Sequence, residues 1–250
     1  MRLPEFIIAG APRSGTTWLY DLLDRHSDLY MARPKQPEPK FFLVDQLYAR
    51  GLAHYSQTWF AGAPANHVAG EKSTNYLESA AAAERIARHL PAVKLVFILR
   101  EPVARAWSNY LWSKMNGLET EDFETALRLE DERERTLSER LRFARPFSYM
   151  SRGLYADLLR PYLDRFPREQ LLILKFEDIL STPGAVATRL HAFLGLSPRP
   201  VDAEGLGVIN PSENSGAALS DALRRALADR FAGPNRELGA LLGSSFQLWT

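Results

Sequence analysis

The sequence predicts a three-layer α/β/α fold on a central parallel sheet, and three observations carry that expectation. Strand-like and helix-like stretches alternate from end to end, which calls for a parallel sheet covered on both faces. KLVFILR (94–100) and QLLILKFED (170–178) are short apolar runs of the kind found in strands buried on both sides. The stretch FIIAGAPRSGTTWLYDLL (6–23) joins an apolar strand, a tight polar loop and an amphipathic helix without a break.

Taken in order, Phe6, Ile7 and Ile8 form the first strand, bounded by Gly10, and the loop Ala11–Gly15 follows. Thr16 and Thr17 open a helix that turns Leu19, Leu22 and Leu23 toward the sheet and leaves Asp21, Asp24 and Arg25 wet. In 31–42, Pro34, Pro37 and Pro39 forbid a helix and favour extended backbone. Residues 46–60 read as a short helix plus loop, and 67–76 as a brief strand ending in a polar loop. High helix propensity over 80–90 leads through Pro91 to the strand 94–100, and Pro102 opens the next helix, which runs to about Lys114 with Val103, Ala106, Trp107, Tyr110 and Leu111 on one side.

Residues 128–145, dense in Arg and Glu three or four apart, predict a solvated helix, with an acceptor-binding lid as the alternative. Tyr155, Leu158, Leu159, Tyr162, Leu163 and Phe166 keep helical spacing before the strand 170–178, and helices around 185–194, 219–232 and 235–242 finish the chain. No repeat, linker or low-complexity tract marks a boundary, so one domain over 1–250 is expected.

Composition narrows the function. At 46% hydrophobic and 24% charged, the 250 residues are ordinary for a globular protein. Against 30 acidic residues stand 31 basic ones, which excludes a broad basic field for nucleic acid. The chain has no cysteine, so disulfides, thiolate metal sites and a Cys nucleophile are excluded. No charged leader precedes an apolar segment and no apolar run reaches the ~20 residues of a membrane span, from which a cytoplasmic location is expected.

The chemistry concentrates in a few places. Gly10 and Gly15 have the spacing of a phosphate-binding P-loop, but Thr16 stands where a nucleotide hydrolase carries Lys, and the cation, Arg13, lies inside the loop. Free N–H groups and the dipole at the helix start suit a phosphate or sulfate; the plain alternative is a strand-turn-helix with no ligand. Arg100 ends the strand 94–100 and Ser108 lies on the following helix; taken alone, an Arg100 salt-bridged to Glu101 or a neighbour with a solvent-facing Ser108 stands level with a functional pair. Glu38 sits between Pro37 and Pro39, where rigid backbone suits a positioned base, or is only an exposed loop acid. His26, His54, His67, His89 and His191 show no metal-ligand spacing.

PRSGTTW (12–18) resembles the 5′-phosphosulfate loop of sulfotransferases that use 3′-phosphoadenosine 5′-phosphosulfate (PAPS), with Arg13 in place of the usual Lys. LREPVARAWSNY resembles the second signature of that family, in which a strand-terminal Arg and a Ser eight residues later bind the 3′-phosphate; Arg100 and Ser108 match. Glu38-Pro39-Lys40-Phe41-Phe42 and GEKSTNY (70–76) are similar to segments of the heparan sulfate group, and LLILKFEDIL and HAFLGL to a strand and helix of the wider family. Phenol and steroid sulfotransferases place a catalytic His in the region of GEKSTNY, and this chain has none.

The resemblance covers roughly residues 6 to 200 and implies a P-loop NTPase-like fold and a PAPS-dependent sulfotransferase, with PAP as product, no metal, and a glycan or other small-molecule acceptor bearing a hydroxyl or amine. Glu38 is then the general base, Arg13 stabilises the leaving phosphate and Lys72 contacts acceptor or sulfonate. Arg13, Ser14, Gly15, Thr16, Thr17, Trp18, Arg100 and Ser108 bind the nucleotide. A late loop that closes over the 3′-phosphate falls at Asn214, Ser215 and Gly216, where ENSG offers no cation. Tyr48, Tyr55, Trp59, Phe60, Trp107 and Trp112 line a flatter acceptor pocket or are core. The rival classes are a P-loop kinase or hydrolase dependent on ATP and Mg²⁺, and a non-catalytic scaffold of the same fold.

Overall fold

A computed structural model describes residues 1–197, 199, 218–243 and 246–249. These residues group into two compact units. The first takes in residues 1–99 and the described residues from 160 to 199, and the second takes in 100–159 and those from 218 on.

The first unit is built on five parallel strands: β1 (Phe6–Gly10), β2 (Leu29–Met31), β3 (Val68–Lys72), β4 (Lys94–Leu99) and β5 (Leu171–Lys175), in the order β2-β3-β1-β4-β5. Because strand residues alternate between faces, Phe6, Ile8, Val96, Ile98 and Leu174 meet Trp18, Leu19 and Leu23 of α1 (Thr16–Asp24) on one side. Val186, Ala187 and Leu190 of α9 (Pro183–Leu194) join the same cluster. On the other side Phe97 meets the Tyr162 ring edge to face, with centroids 5.0 Å apart.

Between these strands lie α2 (Asp45–Tyr48), α3 (Gly51–Phe60) and α4 (Ala80–His89), whose start is capped by Ser79 accepting the Ala82 N–H. The chain leaves β1 toward β2 and leaves β4 toward β5, so the carboxyl ends of β1 and β4 form the switch point at which ligands bind in open parallel sheets.

The second unit is helical. It contains α5 (Pro102–Met115), α6 (Phe123–Arg135), the first part of α7 (Tyr155–Leu163) and α10 (Asp221–Leu242). Its core packs Val103, Ala106 and Tyr110 against Phe123, Leu127, Tyr149, Leu227 and Phe231.

Four expectations change in detail. The three residues of β2 lie in a stretch with no strand pattern, and pairing with β3 makes them an edge strand. The strand expected over 170–178 spans Leu171–Lys175, because Phe176 already begins the short helix α8 (Phe176–Ser181). The charged run 128–145 is not one solvated helix: α6 ends at Arg135, and buried Glu130 accepts the N–H groups of Met150 and Ser151. Finally, 219–232 and 235–242 are one helix. Pro234 removes one backbone hydrogen bond, at a cost of ~3 kcal/mol, but Leu227, Phe231, Leu238 and Leu242 bury a continuous apolar face across it.

Candidate active site

The loop after β1 is shaped by two left-handed residues, Arg13 (φ 66°) and Gly15 (φ 88°). That backbone is costly for an arginine and easy for a glycine, and such alternation curls N–H groups into an anion-binding concavity. Gly15 is the N-cap of α1 and supplies no side-chain cap to the first turn. A side chain at Gly15 would lie 2.9 Å from the Phe176 ring, so the loop also needs glycine for space. Gly10 is equally tight: a Cβ there would stand 2.6 Å from the Leu77 Cβ and 3.2 Å from the Thr74 carbonyl oxygen.

Around this loop, Ser14 is fully buried and its hydroxyl has no hydrogen-bond partner among the described residues. Arg13 is half-buried, Thr16 buried and Thr17 exposed. Trp18 is packed in the core cluster under the sheet.

Opposite Ile8 in the ladder stands Lys72, the last residue of β3. Both strands are parallel, so Lys72 and the loop open at the same sheet edge. The Lys72 ammonium donates to Glu38 Oε1 at 2.6 Å, with side-chain exposures of 3% and 12%. Thr74 adds its backbone N–H to Glu38 Oε2 at 3.1 Å, and its hydroxyl stands 3.3 and 3.2 Å from the two carboxylate oxygens. Three donors thus aim one carboxylate. Removing one member of so enclosed a pair strands the other charge.

The Glu38 segment is tied down on both sides. Arg33 pairs with Asp24 at 2.7 Å and Lys35 with Asp21 at 2.8 Å, exposed pairs worth little singly. Tyr20 donates its hydroxyl to the Ala32 carbonyl at 3.0 Å. After Glu38, Phe41 stacks on Tyr55 at 4.4 Å, and Phe42 meets Tyr55 and Tyr76 edge to face. Tyr55 and Phe60 are therefore core; Tyr48 donates to or accepts from His89 Nε2 at 2.7 Å.

In the second unit, Arg100 precedes α5. The hydroxyl of Tyr155 accepts the Arg100 N–H at 3.3 Å and donates to its carbonyl at 2.9 Å, clamping the backbone from which the guanidinium extends. Glu101 caps α5, accepting from Val103 and Ala104 at 2.9 and 2.7 Å. Ser108 on α5 does not face solvent: it is fully buried and its hydroxyl has no partner among the described residues. Trp107 stacks on Tyr110 at 5.2 Å, and Trp112 and Trp59 are half-buried. Asn214, Ser215 and Gly216 lie outside the described residues. Among those described, no group of three or more His, Asp or Glu could hold a metal ion, and no helix is long and apolar enough to cross a membrane.

The loop, Glu38 and Lys72 were legible in the sequence. Thr74 and Tyr155 were not: GEKSTNY contains Thr74, but nothing in its spacing says that it reaches back to Glu38.

A P-loop type of α/β protein, with a glycine-bounded loop at its switch point and a clamped carboxylate at the same sheet edge, is what these residues describe. The model of the sulfotransferase domain family matches residues 3–205, and the chain belongs to that family. It is 32% identical over 199 residues to mouse heparan sulfate glucosamine 3-O-sulfotransferase 3B1, covering 78% of this chain and 47% of that protein. To mouse bifunctional heparan sulfate N-deacetylase/N-sulfotransferase 3 it is 31% identical over 209 residues, covering 79% and 23%. The chain thus spans about half, or less, of the length of these relatives.

Among solved structures, the sulfotransferase from Alicyclobacillus acidocaldarius superposes with a TM-score of 0.80 at 29% identity over 96% of each chain. A mouse sulfotransferase solved with PAP shares the fold at TM-score 0.62 and 15% identity, over 97% of this chain and 89% of that one.

Proposed function

We propose that this chain transfers a sulfuryl group from PAPS to a hydroxyl or amine of a glycan or other small-metabolite acceptor. The observation that carries the reading is the Glu38 carboxylate, aimed by Lys72 and Thr74 at the sheet edge where the Arg13 loop opens. The buried hydroxyls of Ser14 and of Ser108 each have unused hydrogen-bonding capacity, which suits each of them to a ligand oxygen. PAPS, when bound, supplies the activated sulfuryl group and leaves as PAP.

The chain's own residues do the rest. Arg13, Ser14, Gly15, Thr16 and Thr17 hold the 5′-phosphosulfate end, and Trp18 supports that loop from the core. Arg100 and Ser108 hold the 3′-phosphate through a charge-assisted bond and an orienting hydroxyl. Glu38 takes the acceptor's proton as its oxygen or nitrogen bonds to sulfur. Arg13 and the first-turn N–H groups of α1 stabilise the negative charge that the breaking sulfur–oxygen bond leaves on the phosphate. Lys72 orients Glu38 and has further N–H donors for the sulfonate.

A glycan acceptor is supported by relatives named for heparan sulfate, and the burial of Tyr55 and Phe60 removes two aromatics from any flat, lipidic pocket. Incubation with radiolabelled PAPS and pooled heparosan oligosaccharides, phenols and hydroxylated lipids tests the reading. Label is expected in the oligosaccharide fraction. Absence of transfer to every pool, with PAP bound, would favour a non-catalytic scaffold.

A further inference from the structure

On the opposite face of β3 from Lys72 lies a second acidic side chain that the proposed reaction leaves unused. Glu71 is fully buried, across the ladder from uncharged Ile7. The groups facing it are Tyr55 from α3, Tyr76 from the 3₁₀ turn Tyr76–Glu78, Ser73 beyond the strand end, and, as the charge acting on it, the Glu38 carboxylate.

Two of these neighbours reach back to the Glu38 segment. Ser73 donates its hydroxyl to Glu71 Oε2 at 3.2 Å and accepts the Lys40 N–H at 2.9 Å. The Tyr76 hydroxyl accepts the Phe42 N–H at 3.2 Å. Two of the backbone amides just after Glu38 therefore end on side chains gathered around Glu71. Burial, opposed by the nearby hydroxyls of Tyr76, Tyr55 and Ser73 and assisted by the negative charge of Glu38, pushes the Glu71 carboxyl up to about 8. Its Oε1 and the Tyr55 hydroxyl, both buried, have no hydrogen bond of ordinary geometry among the described residues, and a proton on the carboxyl gives the pair a donor to share.

We propose that Glu71 is a positioning residue for Glu38: its buried carboxyl organises Ser73 and Tyr76 to hold the amides of Lys40 and Phe42, fixing the chain from which the Glu38 carboxylate projects. The proposal rests on the reading of Glu38 as general base.

Hydrogen exchange of the Lys40 and Phe42 amides in the ligand-free protein tests it, with PAP calorimetry as the check on folding. Glu71→Leu is expected to speed exchange at both amides by roughly tenfold or more while PAP affinity stays within about twofold. Glu71→Gln, which keeps a neutral acceptor and donor, stays near wild type. Unchanged protection in a PAP-binding Glu71→Leu variant overturns the proposal.

Should that variant fail to fold, thermal stability against pH decides between wild type and Glu71→Gln. The folded value of Glu71 stands above its ordinary 4.5, so its contribution is complete below about 4.5 and lost as pH rises through about 8. Wild type should lose stability over that window relative to Glu71→Gln and, with it, protection of the Lys40 and Phe42 amides; protection of both amides unchanged across the window overturns the proposal. Failure of the general-base reading looks different: Glu38→Gln would then transfer label normally whatever the amides of Glu71→Leu do.

Discussion

Glu38 and Ser108 are both polar groups drawn largely out of water, yet the protein treats them in opposite ways. Glu38 receives a lysine ammonium, a backbone N–H and a hydroxyl. Ser108, like Ser14 in the loop, is buried with no partner for its oxygen among the described residues. An unsatisfied buried hydroxyl costs about 1–3 kcal/mol, and such a cost persists where another need is served. On the proposed function the difference separates two tasks: the group assigned to move a proton is pre-oriented by the protein, while the groups assigned to the nucleotide keep capacity for it.

The sharpest way to break this contrast is Glu38→Gln. Turnover on labelled PAPS should fall by ~10² to 10⁴, with PAP affinity from calorimetry unchanged; loss of PAP binding as well would make Glu38 structural. Next in size, Arg100→Ala should weaken PAP binding by about 1.5–3 kcal/mol, the worth of a bond to a charged group. Unchanged affinity there would remove Arg100 from the nucleotide.

Ser108→Ala sharpens the comparison. It should cost PAP affinity about 0.5–1.5 kcal/mol while leaving the ligand-free protein as stable as before or more so, because it removes a buried hydroxyl with no partner. Thr74→Val, by contrast, should lower the melting temperature, since it strips a donor from Glu38; equal melting behaviour for the two would erase the distinction. The smallest effect is expected for Arg13→Lys, which keeps the charge and should retain much of the activity in the same assay; complete loss would show that the guanidinium fork is required.

The parts legible in the sequence are those whose physics is local. A strand, a glycine-bounded loop and an amphipathic helix are contiguous, so that unit could be read from 6–23, and the strand Lys94–Leu99 with Arg100 just after it could be read in the same way. What escaped notice depends on partners far along the chain. Thr74 meets Glu38 across 36 positions and Tyr155 meets Arg100 across 55. Glu71 looked like one letter of a motif, and only its burial beside Tyr55, Tyr76 and Ser73 gives it work. Likewise, β2 exists because β3 offers it an edge, and α10 runs through Pro234 because tertiary burial outweighs local propensity.

The central proposal, that this chain takes a nucleotide phosphorylated at both ends, is tested most directly by calorimetry with PAP and with ATP, each with and without Mg²⁺. PAP should bind tightly without metal, and ATP weakly or not at all. Tight, Mg²⁺-dependent ATP binding with no binding of PAP would contradict it.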